Sequence, residues 1–297
     1  MSNPLFNELK NQYKNGSSLI KLIFVNVGIF VLLSLLRLTF YFFNDNEIFK
    51  QLILWLSLPA DIFSLVRKPW TLISYMFLHE ELFHLLFNML VLYFAGQIFL
   101  YYLSSKKLVS TYLLGGLVGG SLYVLLFNVL PVFNGLSSTA YALGASASVM
   151  AILITAATYV PNFTVRLIVF GEVKLKYIAM VYVIIDIVSI PKGNAGGHIA
   201  HLGGALFGFL YAKQLLKGKD FTLGFSNILE KLVNTAIRKR SMSVVYKKPK
   251  SRNDYDYNAQ KQANQQKIDS ILDKISKSGY DSLSAEEKSI LFDAGKK

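Results

Sequence analysis

Of the chain's 297 residues, 53% are hydrophobic and only 16% charged, with a mean hydropathy of +0.40; this excludes an ordinary soluble domain of that length and calls for an apolar solvent. The formal charge of +13 falls in clusters between apolar stretches, a pattern of membrane topology rather than of a basic face for nucleic acid, so no nucleic-acid partner is expected. The absence of cysteine excludes disulfides, thiol catalysis and Cys-ligated metal.

Residues 1–18 are polar and form an expected cytoplasmic N-terminal segment; the apolar run that follows is long enough to span, so no cleavable signal peptide is read there. A spanning helix needs about 20 apolar residues, and six stretches qualify: 19–43, 81–103, 108–131, 144–160, 175–190 and 198–216. The fourth and fifth are short, to be accommodated by tilt, thinned lipid or shielding by neighbours. The predicted fold class is therefore all-α, a polytopic membrane bundle of six transmembrane helices over residues 19–217, with a small helical C-terminal tail. Lys10, Lys14 and Lys21 precede the first span, Lys106 and Lys107 follow the second, and Arg166, Lys174 and Lys176 follow the fourth. Both termini are accordingly expected in the cytoplasm.

Between the first two spans, residues 43–78 are half apolar and should lie in the membrane interface. Trp55, Trp70 and Tyr75 suit the aromatic belt there, with Arg67 and Lys68 snorkelling toward head groups. In the third span, Gly115 with Gly119 and Gly116 with Gly120 make small-residue faces for close helix packing. Residues 218–264 read as a basic juxtamembrane segment, amphipathic as far as 240, followed by a polar linker over 241–264. Within 265–297, Ile268, Ile271, Leu272 and Ile275 recur at helical spacing, and Ser284 with Glu287 forms a capping box. This small module is expected to meet an unidentified cytoplasmic partner.

All four histidines, His79, His84, His198 and His201, fall at or near predicted span ends. Ionisable residues there are costly, which makes each a candidate functional group. On a helix His201, Gly204 and Gly208 share one face, so bulk is removed beneath the imidazole. Gly144, Ala145, Ser146 and Ala147 open the fourth span equally free of bulk. A serine needs a base within reach to act as nucleophile, and small residues on both helices permit that approach. Ser146 near a helix start has unpaired backbone N–H groups beside it, suited to an oxyanion. His84 and Asn88, four apart, stack on one face as further donors. Ser148 is turned about 200° away from Ser146, so only one of the two can face His201, and the glycine spacing favours Ser146.

These residues resemble the rhomboid family in three ordered motifs: His-x4-His-x3-Asn at His79, His84 and Asn88; Gly-x-Ser at Gly144 and Ser146; and Ala-His-x2-Gly-x3-Gly at Ala200, His201, Gly204 and Gly208. The resemblance implies a serine endopeptidase that cuts transmembrane protein substrates within the lipid bilayer, without metal or cofactor, in a bacterial inner membrane. It makes Ser146 the nucleophile and His201 the general base and later acid, with His84, Asn88 and the Ser146 backbone N–H as oxyanion hole. His79 would shape a wet cavity and His198 is an alternative base. No acidic third member is expected, and Asp186 is read as solvated or structural. Two departures stand out: Thr71 follows Trp70 where many rhomboids carry arginine, leaving Arg67 to take that role if any residue does, and Met150 replaces a tyrosine that stacks on the catalytic histidine. Two rival readings are a zinc protease built on His79 and Glu80, which the five-residue histidine spacing disfavours, and an inactive rhomboid-like protein that binds transmembrane clients.

Overall fold

The computed structural model describes residues 11–13, 15–167, 170–236 and 267–294; the predicted linker over 241–264 and most of the N-terminal segment lie outside them. The chain divides into two compact units, Met1–Ile237 and Arg238–Lys297. In the first, helix α1 (Ser18–Phe42) leads through α2 (Asn46–Leu56), strand β1 (Leu58–Pro59), α3 (Ile62–Arg67) and α4 (Thr71–Ser74) to α5 (Leu82–Tyr102) and α6 (Ser105–Val129). Strand β2 (Tyr141–Ala142), α7 (Ser146–Tyr159), strands β3 (Thr164–Leu167) and β4 (Gly171–Lys174), α8 (Leu175–Ser189), α9 (Ala195–Leu216) and α10 (Leu223–Ala236) complete it.

Helices α1, α5, α6, α7, α8 and α9 coincide with the six apolar stretches. Three of them, α1, α5 and α6, are long and apolar enough to cross a membrane by length and composition. The others fall short for local reasons. Helix α7 has 14 residues but buries every side chain from Ala147 to Ala157, so neighbouring helices rather than lipid surround it. Helix α9 is 22 residues long, and its glycines and two histidines dilute its hydropathy.

Glycines set how the helices meet around α7. A side chain at Gly115 would strike Ala151, one at Gly119 would strike Ala147 and the carbonyl of Ala200, and one at Gly204 or Gly208 would strike the carbonyls of Ala147 or Ala151. Backbone-to-backbone approach is possible only where no Cβ intervenes, and in lipid such packing replaces the hydrophobic drive. Buried polar groups are paired in the same region. Asn26 donates to the Leu22 carbonyl at 2.9 Å and to Tyr112 Oη at 3.1 Å, and Tyr112 donates to the Met76 carbonyl at 2.9 Å, tying α1, α6 and the α4–α5 connection together.

The connection between α1 and α5 is more folded than an interfacial loop need be. Asp61 caps α3 by accepting from Ser64 N–H at 2.7 Å, and hydrogen bonding from the Ser64 side chain and then its backbone, with Arg67 as a smaller contributor, holds its carboxyl below the usual range. Trp55 and Trp70 pack at 4.8 Å and Trp70 Nε1 donates to the Trp55 carbonyl. Thr71 is buried and donates to the Lys68 carbonyl at 2.7 Å. Tyr75 is not in an aromatic belt as expected: it is 2% exposed and its hydroxyl donates to the Gly116 carbonyl at 2.6 Å. The glycine-lined groove of α6 gives the ring a place to enter.

Two small antiparallel pairs were not expected. Strands β1 and β2 pair Leu58 with Ala142 and Pro59 with Tyr141, clamping the segment that leads into α7. Strands β3 and β4 pair Val165 with Val173 and Arg166 with Glu172. The alternation over residues 164–174 was the available signal, hidden by its position between two apolar stretches. Beyond α9, Asp220 accepts from Thr222 N–H at 3.0 Å and lies 3.3 Å from Lys107 Nζ, which fixes the approach to α10.

In the second unit, a helix α11 over residues 267–278 and helix α12 (Ala285–Ala294) are joined by a turn at Gly279. Glu287 accepts from Ser284 N–H at 2.7 Å while Ser284 Oγ accepts from Glu287 N–H at 3.3 Å, a reciprocal capping box.

Candidate active site

The segment entering α7 is held before the helix begins. Gly144 N–H donates to the Tyr75 carbonyl at 2.9 Å, and Gly144 adopts φ +132°, a conformation only glycine takes without strain. A Cβ there would also lie 2.9 Å from His84 Cε1 and 3.5 Å from Ser146 Oγ. Gly144 is thus the small floor on which the His84 ring and the Ser146 hydroxyl come together. No side chain caps the first turn of α7, which leaves its N–H groups directed toward the same space. Asn88, one turn along α5 from His84, is buried and donates to the His84 carbonyl at 3.0 Å.

Helix α9 brings in His201. Its N-cap Asn194 accepts from Gly197 N–H at 3.3 Å. Gly204 abuts Ala147, the residue after Ser146, and His201 stands one turn before Gly204 on the same helix face. Among the described residues Ser146 Oγ has no hydrogen-bond partner; both it and His201 are half-buried. Catalytic hydrogen bonds are often long in a free enzyme and tighten with substrate. Met150 lies one turn along α7, buried in the core.

Asp186 departs in part from what the sequence suggested. Of the two readings given to it, solvated or structural, burial to 5% exposure excludes the first, and its Oδ1 lies 2.8 Å from Nδ1 of His201 and 2.8 Å from Nδ1 of His198. The expectation that no carboxylate would stand behind the histidine is therefore corrected. Two histidines three apart on α9 face one way, and the single carboxylate of α8 answers both; the i, i+3 spacing was the signal that could have revealed it. The ligand atoms of these three residues lie within 4.8 Å of one another, the one group among the described residues whose donors could also hold a divalent cation.

His79 packs edge-to-face on His84 at 5.1 Å and borders a cavity of about 800 Å³ that Arg37, Lys50, Glu80 and Glu81 also line. It is 4% exposed with neither ring nitrogen paired. Burial, with His84 adding to it, lowers its pKa to about 4. Because the folded value lies below the unfolded one near 6.5, the unfolded chain binds the proton more readily between the two, and stability is full above that window and falls as pH drops through it. Thermal unfolding in detergent should therefore show His79 contributing a loss of up to about 3 kcal/mol from pH 7 to pH 4. His79→Asn is expected to flatten that acid limb; parallel curves for the two proteins would contradict the assignment.

Ser148 points elsewhere. Its hydroxyl is fully buried and unpaired, against Gly116 of α6 and beside Met76. Ser148→Ala should leave any activity unchanged and raise stability by up to about 1 kcal/mol, since an unsatisfied hydroxyl is removed. Loss of activity without loss of stability would reverse the roles of the two serines.

Two family matches bear on the chain. Residues 253–297 match a family of unknown function (DUF6576), which covers the second unit's helices. No curated protein matches the chain. Residues 66–218, just over half of the 297, match the Rhomboid domain, and that span contains the Gly144 floor, both helices that meet at Gly204, and all four histidines. With its long apolar helices this is an integral membrane protein, and it belongs to the rhomboid family of intramembrane proteases.

Proposed function

We propose that the protein is an active intramembrane serine endopeptidase in which Ser146 attacks a peptide carbonyl of a transmembrane substrate and His201 takes and returns the proton. The observation that carries this reading is the convergence of Ser146 Oγ and the His84 ring on Gly144, together with the packing of Gly204, one turn beyond His201, against Ala147. His84, Asn88 and the free N–H groups of the first turn of α7 are the donors for the developing oxyanion. On this reading all six helices span, including the two short ones, and the basic residues between α5 and α6 and around β3 and β4 face the cytoplasm with both termini, in a bacterial inner membrane.

Entry beside α8 is supported by its packing: it buries only Leu175, Ala179 and Asp186, while Met180, Val181, Ile184, Ile185 and Val188 are exposed toward the surrounding lipid. A substrate helix arriving there must unwind, because its carbonyls are hidden in i to i+4 bonds. Segments with glycine or proline are therefore preferred. The test is reconstitution of the full chain in vesicles with a single-span reporter carrying a glycine-containing segment near its outer end. Cleavage by the wild type and none by Ser146→Ala is the expected result. A folded wild type that binds the reporter without cutting it, and takes no fluorophosphonate label, would instead identify an inactive client-binding relative.

A further inference from the structure

The Ser146–His201 reading leaves one buried charge unused, Asp186, and two imidazoles held by it. In the family resemblance the histidine works without a carboxylate behind it, so this contact needs its own account. An ionised carboxylate is an acceptor only. Its Oδ1, 2.8 Å from both Nδ1 atoms, therefore takes two N–H donors, one from each ring, using its two lone pairs. That arrangement fixes His201 as the tautomer with its proton on Nδ1. The remaining nitrogen, Nε2, is then a bare lone pair, the form that accepts a proton from a serine hydroxyl.

The rings are oriented as well as protonated in a defined way. His198 and His201 meet edge-to-face at 5.8 Å, so each limits the other's rotation about its own side-chain bonds. Asp186 itself is nearly fully buried on a helix that otherwise buries little. A charge in that setting is costly unless it is paired, and the two imidazoles are its partners. The set His84, His198 and Asp186 comprises the titratable groups that face His201 from α5, from α9 itself and from α8.

Resting on the proposed Ser–His chemistry, we infer that Asp186 is the positioning residue of a Ser146–His201–Asp186 relay, holding His201 with Nε2 available to Ser146, and that His198 is a second tenant of the same oxygen rather than a base. In the acylation step the Oγ–carbonyl carbon bond forms as the Oγ proton moves to Nε2. The C–N bond then breaks and that proton passes from Nε2 to the leaving amine; water repeats the sequence to release the acid. Asp186 keeps its charge throughout and moves no proton, while the imidazolium formed between the two transfers is stabilised by the carboxylate 2.8 Å away.

The inference is tested without any natural substrate, by the rate at which a fluorophosphonate modifies Ser146 in the detergent-solubilised full chain, resolved into the maximal rate and the probe concentration at half-maximum. Asp186→Asn should lower the maximal rate by roughly 100-fold or more, because the amide donates to Nδ1 and forces the proton onto Nε2. The half-maximal concentration and the unfolding temperature should change little. Asp186→Glu, which keeps the carboxylate, should stay within about tenfold of wild type, and His198→Ala, which removes a partner of Asp186 but not the proposed base, should still label Ser146, within the same tenfold range. If Asp186→Asn fails to fold, Asp186→Ser replaces it against Asp186→Glu with the same expectations. Equal maximal rates for wild type and the asparagine variant would overturn the inference while leaving the Ser–His reading intact; a wild type that does not label at all sinks that reading instead. Loss of labelling in His198→Ala would overturn the assignment by making His198 the base. So would activity lost to EDTA and restored by zinc, since a metal would then occupy the positions of the two Nδ1 protons.

Discussion

Turnover of a transmembrane reporter should fall by about 10⁴-fold or more in His201→Ala, and equally in Ser146→Ala, with no further loss when the two changes are combined. The reason is that nucleophile and base act as a unit: a hydroxyl without a proton acceptor is as inert as no hydroxyl. On the proposed reading the acceptor is His201, which stands one turn before the Gly204–Ala147 contact on α9. His198, although held by the same carboxylate at the same 2.8 Å, lies a further turn toward the start of α9 and is expected not to substitute. Assay of the three variants in one vesicle preparation, with circular dichroism to establish that each is folded, checks this. A single variant retaining more than about a hundredth of wild-type turnover would contradict the assignment.

The second large effect is expected at Gly204, a residue that touches no reacting atom. Its α-carbon lies against the Ala147 carbonyl so closely that even one methyl cannot be placed there, and the obstacle is backbone rather than a side chain able to swing aside. Gly204→Ala therefore pushes α9 away from α7. A shift of about 1 Å between catalytic groups costs on the order of 100-fold in rate, and the overpacking itself costs about 1–3 kcal/mol in stability. Gly28→Ala is the matched control, because the space beside Gly28 on α1 is open; it should be neutral or slightly stabilising, as expected for an alanine in a helix. Reporter cleavage and thermal unfolding measured on both variants decide the matter. Equal behaviour of the two would mean that the glycine face of α9 does not set the distance between Ser146 and His201.

Much of this was legible in the residues, and the parts that were not share a cause. The helices could be placed because a bilayer imposes a length on each and tolerates few charges within it. The small residues at Gly144, Gly204 and Gly208 were readable because close approach leaves a mark at fixed helical spacing. What could not be read were contacts between segments that neither pattern links. Tyr75 has the composition of an interfacial aromatic, yet a glycine groove on α6 receives its ring and the Gly116 carbonyl its hydroxyl. Asp186 has the position of a residue near a span end, yet tertiary packing turns it inward onto two imidazoles. The β3–β4 pair was obscured because its alternation is short and its charged residues had already been accounted for by topology.

The most direct measurement is the site of covalent modification. Wild-type protein treated with a fluorophosphonate, digested and analysed by mass spectrometry should carry one adduct, on Ser146, and His201→Ala treated identically should carry none. An adduct on Ser148, or an unmodified but fully folded wild type, would contradict the account.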